Sequence, residues 1–192
     1  MSDNMYMEMI HCQSPDEVYA TVRRWMSLLS DHEHLVRSTI LDIHMDVERV
    51  LKMALYQALL DVIFHGDDEA EYECRCEQLE KMVMKMSYSY VYRLLTPAFD
   101  AFPADDLAAV MAINEVRNSV AHNVKPEQVQ YKGRSPFTNA DCLAQLYLDS
   151  FDLCESVEKF IRVMVVDPRG VAKHHADFYH ENYTRLKDDQ ED

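Results

Sequence analysis

The sequence predicts an all-α fold, a single helical domain. The chain has 192 residues and only three glycines, Gly66, Gly133 and Gly170. Sheets joined by tight turns need many residues at positive φ, so sandwiches and barrels are poorly supplied. The same scarcity removes any P-loop or G-x-G-x-x-G phosphate cradle, because no two glycines lie close together. Twelve methionines and a hydrophobic share of 48% accompany few helix breakers. Apolar side chains also recur every three or four residues over long stretches. A chain of this length is expected to form one domain with a sizeable core.

Each element has its own signal. Met1 to Gln13 is a Met-rich arm without a clear helical period. Ser14-Pro15-Asp16-Glu17 starts a helix, with a serine cap, proline at the first helical position and acids at the positive dipole end. That helix is expected to run to about Leu29. Ser30-Asp31 opens the longest one, in which Leu35, Ile40, Ile43, Val47, Val50, Leu51, Ala54, Leu55, Ala58, Leu59, Val62 and Ile63 recur mostly every three or four residues. His65-Gly66 closes it, with glycine in the left-handed cap position. A helix from Ala70 to Met86 carries Leu79, Met82, Val83 and Met86. Ser87 caps a short segment through Leu95 that Pro97 closes.

Pro103 with Asp105-Asp106 opens a helix from Leu107 to about Ala121. Residues 123–138, with Pro126, Gly133 and Pro136, read as a loop. Asn139-Ala140-Asp141 caps a long helix to Val166, burying Leu143, Leu146, Tyr147, Phe151, Cys154, Val157, Ile161 and Val165 on one side. Pro168 and Gly170 break it, and a polar helix from Val171 to Leu186 precedes an acidic tail. The organisation is thus an arm over 1–13, a helical domain over 14–168, and a C-terminal helix and tail over 169–192.

Net charge is −15, which opposes general affinity for nucleic acid or anionic membrane, since both are polyanions. The charge is uneven. Residues 116–138 hold four Lys and Arg against one acid, while the flanking segments are acidic. Five scattered cysteines without a C-x-x-C pair indicate a reduced, cytoplasmic protein. The N-terminus lacks the basic start and apolar run of a signal peptide, and no apolar stretch is long enough to span a membrane.

The basic island borders the most informative segment, Ile113-Asn114-Glu115-Val116-Arg117-Asn118-Ser119-Val120-Ala121-His122-Asn123. On an ideal helix Asn118 and His122 lie about 40° apart on one face, whereas Arg117 lies about 140° from His122. The two converge only if the helix ends near Ala121, with Asn123 as its cap, or if Arg117 serves another subunit. Ala109, Ile113, Val116 and Val120 are expected to face the core.

Arg117, Asn118 and His122, as Arg-Asn-x-x-Ala-His, resemble the motif of the HEPN superfamily (higher eukaryotes and prokaryotes nucleotide-binding domains). The spacing Arg-x(4–6)-His alone is common. In this chain Arg37 also reaches His44, and Arg169 reaches His174 and His175, but only the middle copy has Asn after Arg and a helix terminus. The resemblance implies an up-and-down helical bundle with its motif late in the chain, two copies meeting across a homodimer. It implies a metal-independent endoribonuclease, of the toxin or abortive-infection kind, needing no cofactor. Arg117 then binds phosphate, His122 exchanges a proton with the ribose 2′-OH, and Asn118 orients either. Lys125, Tyr131, Lys132 and Arg134 are the candidate RNA-binding residues.

The alternative is a non-catalytic regulator or protein-interaction module of the mannitol-operon-repressor type, whose partner is an antitoxin or regulatory protein. The bland reading makes the triplet a polar helix end, with Arg117 paired to a nearby Glu and Asn118 capping. His174, His175, Asp177 and His180, and separately His32 and His34, are read as solvated polar residues rather than metal ligands. Tyr72, Tyr88, Tyr90 and Tyr92 are read as core or dimer contacts rather than a base-stacking platform, and Met82, Met84 and Met86 as core.

Overall fold

The structure, a computed structural model, describes residues 4–28, 32–63, 69–98, 104–122 and 125–164. Seven α-helices are described: α1 (Met5–Ile10), α2 (Pro15–Leu28), α3 (Glu33–Ile63), α4 (Glu69–Met84), α5 (Tyr88–Ala98), α6 (Ala104–Ala121) and α7 (Ala140–Met164). The fold is all-α. A 3₁₀ turn, Pro126–Gln128, precedes a minimal hairpin in which Tyr131 and Arg134 pair. The expected start at Ser30-Asp31, the caps at Gly66 and Asn123, and the C-terminal helix with its histidine cluster lie outside the described residues.

The chain divides into two compact units, Met1–Glu48 with Phe102–Glu155 and Arg49–Ala101 with Ser156–Asp192. In the first, Val22 of α2, Val36, Ile40, Ile43 and Val47 of α3, Ile113 and Val116 of α6, and Leu143, Leu146 and Leu153 of α7 are buried. Removing each such side chain from water contributes about 1.5–3 kcal/mol. In the second, Leu51, Leu55 and Leu60 of α3, Leu79 and Val83 of α4, Val91 and Leu95 of α5, and Val157 of α7 are buried.

The N-terminal arm is a helix rather than an unstructured lead. Asn4 caps α1, its Oδ1 accepting from the Tyr6 N–H at 2.9 Å. Met5 and Met9, one turn apart, are both fully buried. The Tyr6 hydroxyl donates to Asp46 of α3. Two caps follow the expected chemistry. Ser14 Oγ accepts from the Glu17 N–H at 3.3 Å while Glu17 reaches back to the Gln13 N–H at 2.8 Å, a near relative of the capping box. Asn139 Oδ1 accepts from the Cys142 N–H at 2.9 Å and starts α7.

Three expectations need correction. Pro97 lies within the last turn of α5, which runs to Ala98. Phe151 is half exposed, and Ser150 and Leu153 occupy the buried face of α7 instead. Met82 and Met84, read as core, are exposed.

Candidate functional site

The end of α6 carries the Arg-Asn-x-x-Ala-His segment, and the helix stops at Ala121 as the motif requires. Ile113, Val116 and Val120 are buried, which turns Arg117 and Asn118 to the half-exposed side. The Arg117 guanidinium donates through Nη1 to Asn118 Oδ1 at 3.1 Å. Its Nε is buried and has no hydrogen-bond partner among the described residues. The His122 N–H closes the final turn onto Asn118 O at 2.9 Å, and its side chain is exposed. Among the described residues no hydrogen bond joins the His122 ring to Arg117 or Asn118. Arg117 also forms no salt bridge with a described carboxylate, so the Arg–Glu pair of the bland reading is not made.

A residue outside the motif finishes the helix. Arg37 of α3 donates through Nη1 to the Val120 carbonyl at 3.3 Å, is held by Glu33 at 2.8 Å, and lies over the Phe137 ring at 5.3 Å. A cation thus sits where the α6 dipole is negative. The pairing is invisible in sequence because 83 residues separate the partners. His32 bonds the Phe137 carbonyl through Nε2 at 2.9 Å, and His34 is exposed. Among the described residues no cluster of His, Cys, Asp and Glu is arranged to hold a metal ion.

The candidate RNA-binding residues separate into two places. Tyr131, Lys132 and Arg134 line a cleft of about 590 Å³ together with Asp16, Tyr19 and Arg23 of α2 and Asp141, Cys142 and Gln145 of α7. Lys125 is exposed at the start of the 3₁₀ turn and does not line it, nor do Arg117, Asn118 and His122. The hairpin is tight. Tyr131 and Arg134 exchange backbone hydrogen bonds of 2.8 and 3.0 Å, with Lys132 at φ 47° and Gly133 at φ 77°. Two positive φ values in a two-residue turn are the geometry that matches strand twist, and the non-glycine Lys132 bears a cost of about 1–2 kcal/mol.

Side chains fix that hairpin to α7. The Tyr131 hydroxyl donates to Asp149 Oδ2 at 2.5 Å, and Lys132 Nζ reaches the same oxygen at 2.8 Å. Gln145 Nε2 donates to Asp149 Oδ1 at 2.9 Å. Burial alone would raise the Asp149 pKa, but bonds from Lys132, Tyr131 and Gln145 outweigh it and hold the carboxyl below its ordinary value. Burial, and then the bond to Asp149, pushes the Tyr131 hydroxyl well above its ordinary range. Cys142 donates to the Tyr131 and Arg134 carbonyls at 3.5 and 3.4 Å, and burial raises its thiol.

Across the cleft, α2 and α7 meet in two rungs. Tyr19 Oη donates to Gln145 Oε1 at 2.5 Å, and Arg23 grips Asp141 through two bonds of 2.6 and 3.0 Å. The hydrogen bond from Arg23 holds the Asp141 carboxyl below its ordinary range. None of these four residues was among the expected site. Their signal is a polar row at i, i+4, i+8 (Asp141, Gln145, Asp149) through the otherwise apolar start of α7, facing Tyr19 and Arg23 at i, i+4.

No family model matches the chain, and neither a curated protein nor a solved structure is found that matches it. No described helix is long and apolar enough to cross a membrane.

Proposed function

We propose that the chain is a HEPN-like, metal-independent endoribonuclease acting as a homodimer, with Arg117, Asn118 and His122 as its catalytic set. The observation that carries this reading is the Arg117–Asn118 contact of 3.1 Å at the terminal turn of α6, one turn from an exposed His122. A carboxamide holds the guanidinium where the bland reading needs a glutamate. Arg117 engages the scissile phosphate through the fork geometry that guanidinium offers. His122 accepts the proton of the ribose 2′-OH, whose oxygen attacks phosphorus as the P–O5′ bond breaks. The leaving 5′-oxygen takes a proton, and the products carry a 2′,3′-cyclic phosphate and a free 5′-hydroxyl. One imidazole acts as base or acid in a single step, so the partner's copy of the motif supplies the second. The exposed Leu41 and Met45, one turn apart on α3, and Met111 on α6 suit a protein contact.

One observation favours the non-catalytic reading, a regulator with a protein partner. Tyr131 is buried and Lys132 is paired, both on Asp149, so half of the four candidate RNA contacts are engaged within the chain. The net charge of −15 points the same way.

The test is expression in a bacterial host together with end-group analysis of RNA incubated with purified protein in EDTA. Growth arrest, relieved by His122→Ala, and fragments ending in cyclic phosphate are expected. Intact RNA and unaffected growth, with or without the substitution, decide for the regulator.

A further inference from the structure

We propose that the cleft between α2, the hairpin and the start of α7 binds a single nucleotide, with its phosphate on Arg134, its base against Tyr19 and an exocyclic amine on Asp16. The cleft's own residues carry this inference; it rests on the ribonuclease reading only in taking RNA as one source of the nucleotide.

The volume of about 590 Å³ falls among small-molecule sites. Most polar groups around the cleft are already matched: Arg23 with Asp141, Tyr19 with Gln145, and both Tyr131 and Lys132 with Asp149. Two lining side chains lack a hydrogen bond, although the Arg134 charge acts on Asp141 and that of Asp16 on Arg23. The Arg134 guanidinium and the Asp16 carboxylate make no hydrogen bond to any described residue. One is a fork of donors suited to phosphate, the other an acceptor suited to an amine.

The matched pairs also cancel one another's charge. A phosphate entering this cleft meets a locally compensated surface in a chain of net charge −15. The Tyr19 ring is held by its hydroxyl and by Arg23, which covers one face at 5.8 Å from its centre and leaves the opposite face for a base. Lys132 and Gly133 form the turn that carries Tyr131 and Arg134 at the cleft. Gly133 faces open space, with nothing within 4 Å of a Cβ placed there.

The experiment is calorimetric titration of the His122→Ala protein, which keeps RNA intact, with AMP, UMP and an eight-residue oligoadenylate. Binding of AMP tighter than UMP is expected, because uracil lacks the exocyclic amine. Arg134→Ala in the same background weakens AMP at least about tenfold, the loss of one charge-assisted bond. Asp16→Ala removes the preference for AMP over UMP. Both positions are exposed, and melting curves verify that the variants remain folded. AMP and the oligomer binding alike mark a free nucleotide as sufficient; the oligomer binding alone marks a nucleotide within a strand. The proposal is overturned if neither ligand binds at millimolar concentration, or if Arg134→Ala and Asp16→Ala bind as the parent does. AMP binding by the His122→Ala protein, when the parent protein with His122 also leaves RNA intact, would sink the nuclease and keep the cleft. RNA cleavage by the parent protein, with no nucleotide bound by the His122→Ala protein, would do the reverse.

Discussion

Arg37 and Val120 are joined by a hydrogen bond of 3.3 Å from guanidinium to carbonyl, so the last turn of α6 ends on a cation supplied by α3. The turn that holds Asn118 and presents His122 is therefore fixed from outside its own helix. Free helix ends fray, and a charge at a C-terminus contributes most when it is partly buried. The Arg37 side chain is only 17% exposed.

Arg37→Ala is accordingly expected to lower stability by roughly 1–2 kcal/mol. Urea denaturation measures this. Because the Glu33 carboxylate and the Phe137 ring lose the same partner, Arg37→Lys restores only part of the loss.

Asp149 collects the Tyr131, Lys132 and Gln145 donors, and its carboxyl titrates below the ordinary value. A carboxyl depressed by folding contributes stability above its unfolded pKa of about 3.9, lost as pH falls through the lower folded value. The urea midpoint is expected to drop between pH 5 and the acid limit, and Asp149→Asn flattens that drop. At pH 7 the same substitution costs about 1–3 kcal/mol, since three donors lose a charged acceptor. An unchanged acid limb in Asp149→Asn would contradict the assignment.

Met9 is 1% exposed and Met5 is 0% exposed, one turn apart on α1. Met9→Ala is expected to cost about 2–5 kcal/mol through lost burial and the cavity left behind. Thermal or urea unfolding reads the effect. An arm that merely trails from the domain would show none.

That arm marks where the sequence stopped being informative. Six helical residues are too few for a period to register, and α1 exists because Asn4 caps it and two methionines enter a core contributed by distant residues. The long helices were legible for the opposite reason. Ile40, Ile43, Val47, Val50, Leu51, Ala54 and Leu55 repeat over several turns, and all are buried. Phe151 misled because the period itself points it inward: at about 100° per residue it falls between the buried Tyr147 and Ala144, yet it is half exposed while Ser150 is buried.

The site was legible in the same uneven way. The end of α6 near Ala121 was legible from residues of that helix, whereas the Arg117–Asn118 bond was not, because Asn118 was read as orienting the imidazole or the substrate. Partners across space, Arg37 for Val120 and Arg23 for Asp141, depend on packing that no spacing encodes. Tyr131 shows the difference. As sequence it is an aromatic in a basic loop, whereas in the fold it is 2% exposed and its hydroxyl is committed to Asp149.

The most direct measurement is the rate of RNA cleavage in EDTA by the intact protein and by His122→Ala. Loss of a general acid–base group predicts a fall of about 10²-fold or more, with the urea midpoint unchanged because the side chain is exposed. Cleavage by His122→Ala at the parental rate, or no cleavage by either protein, would contradict the account.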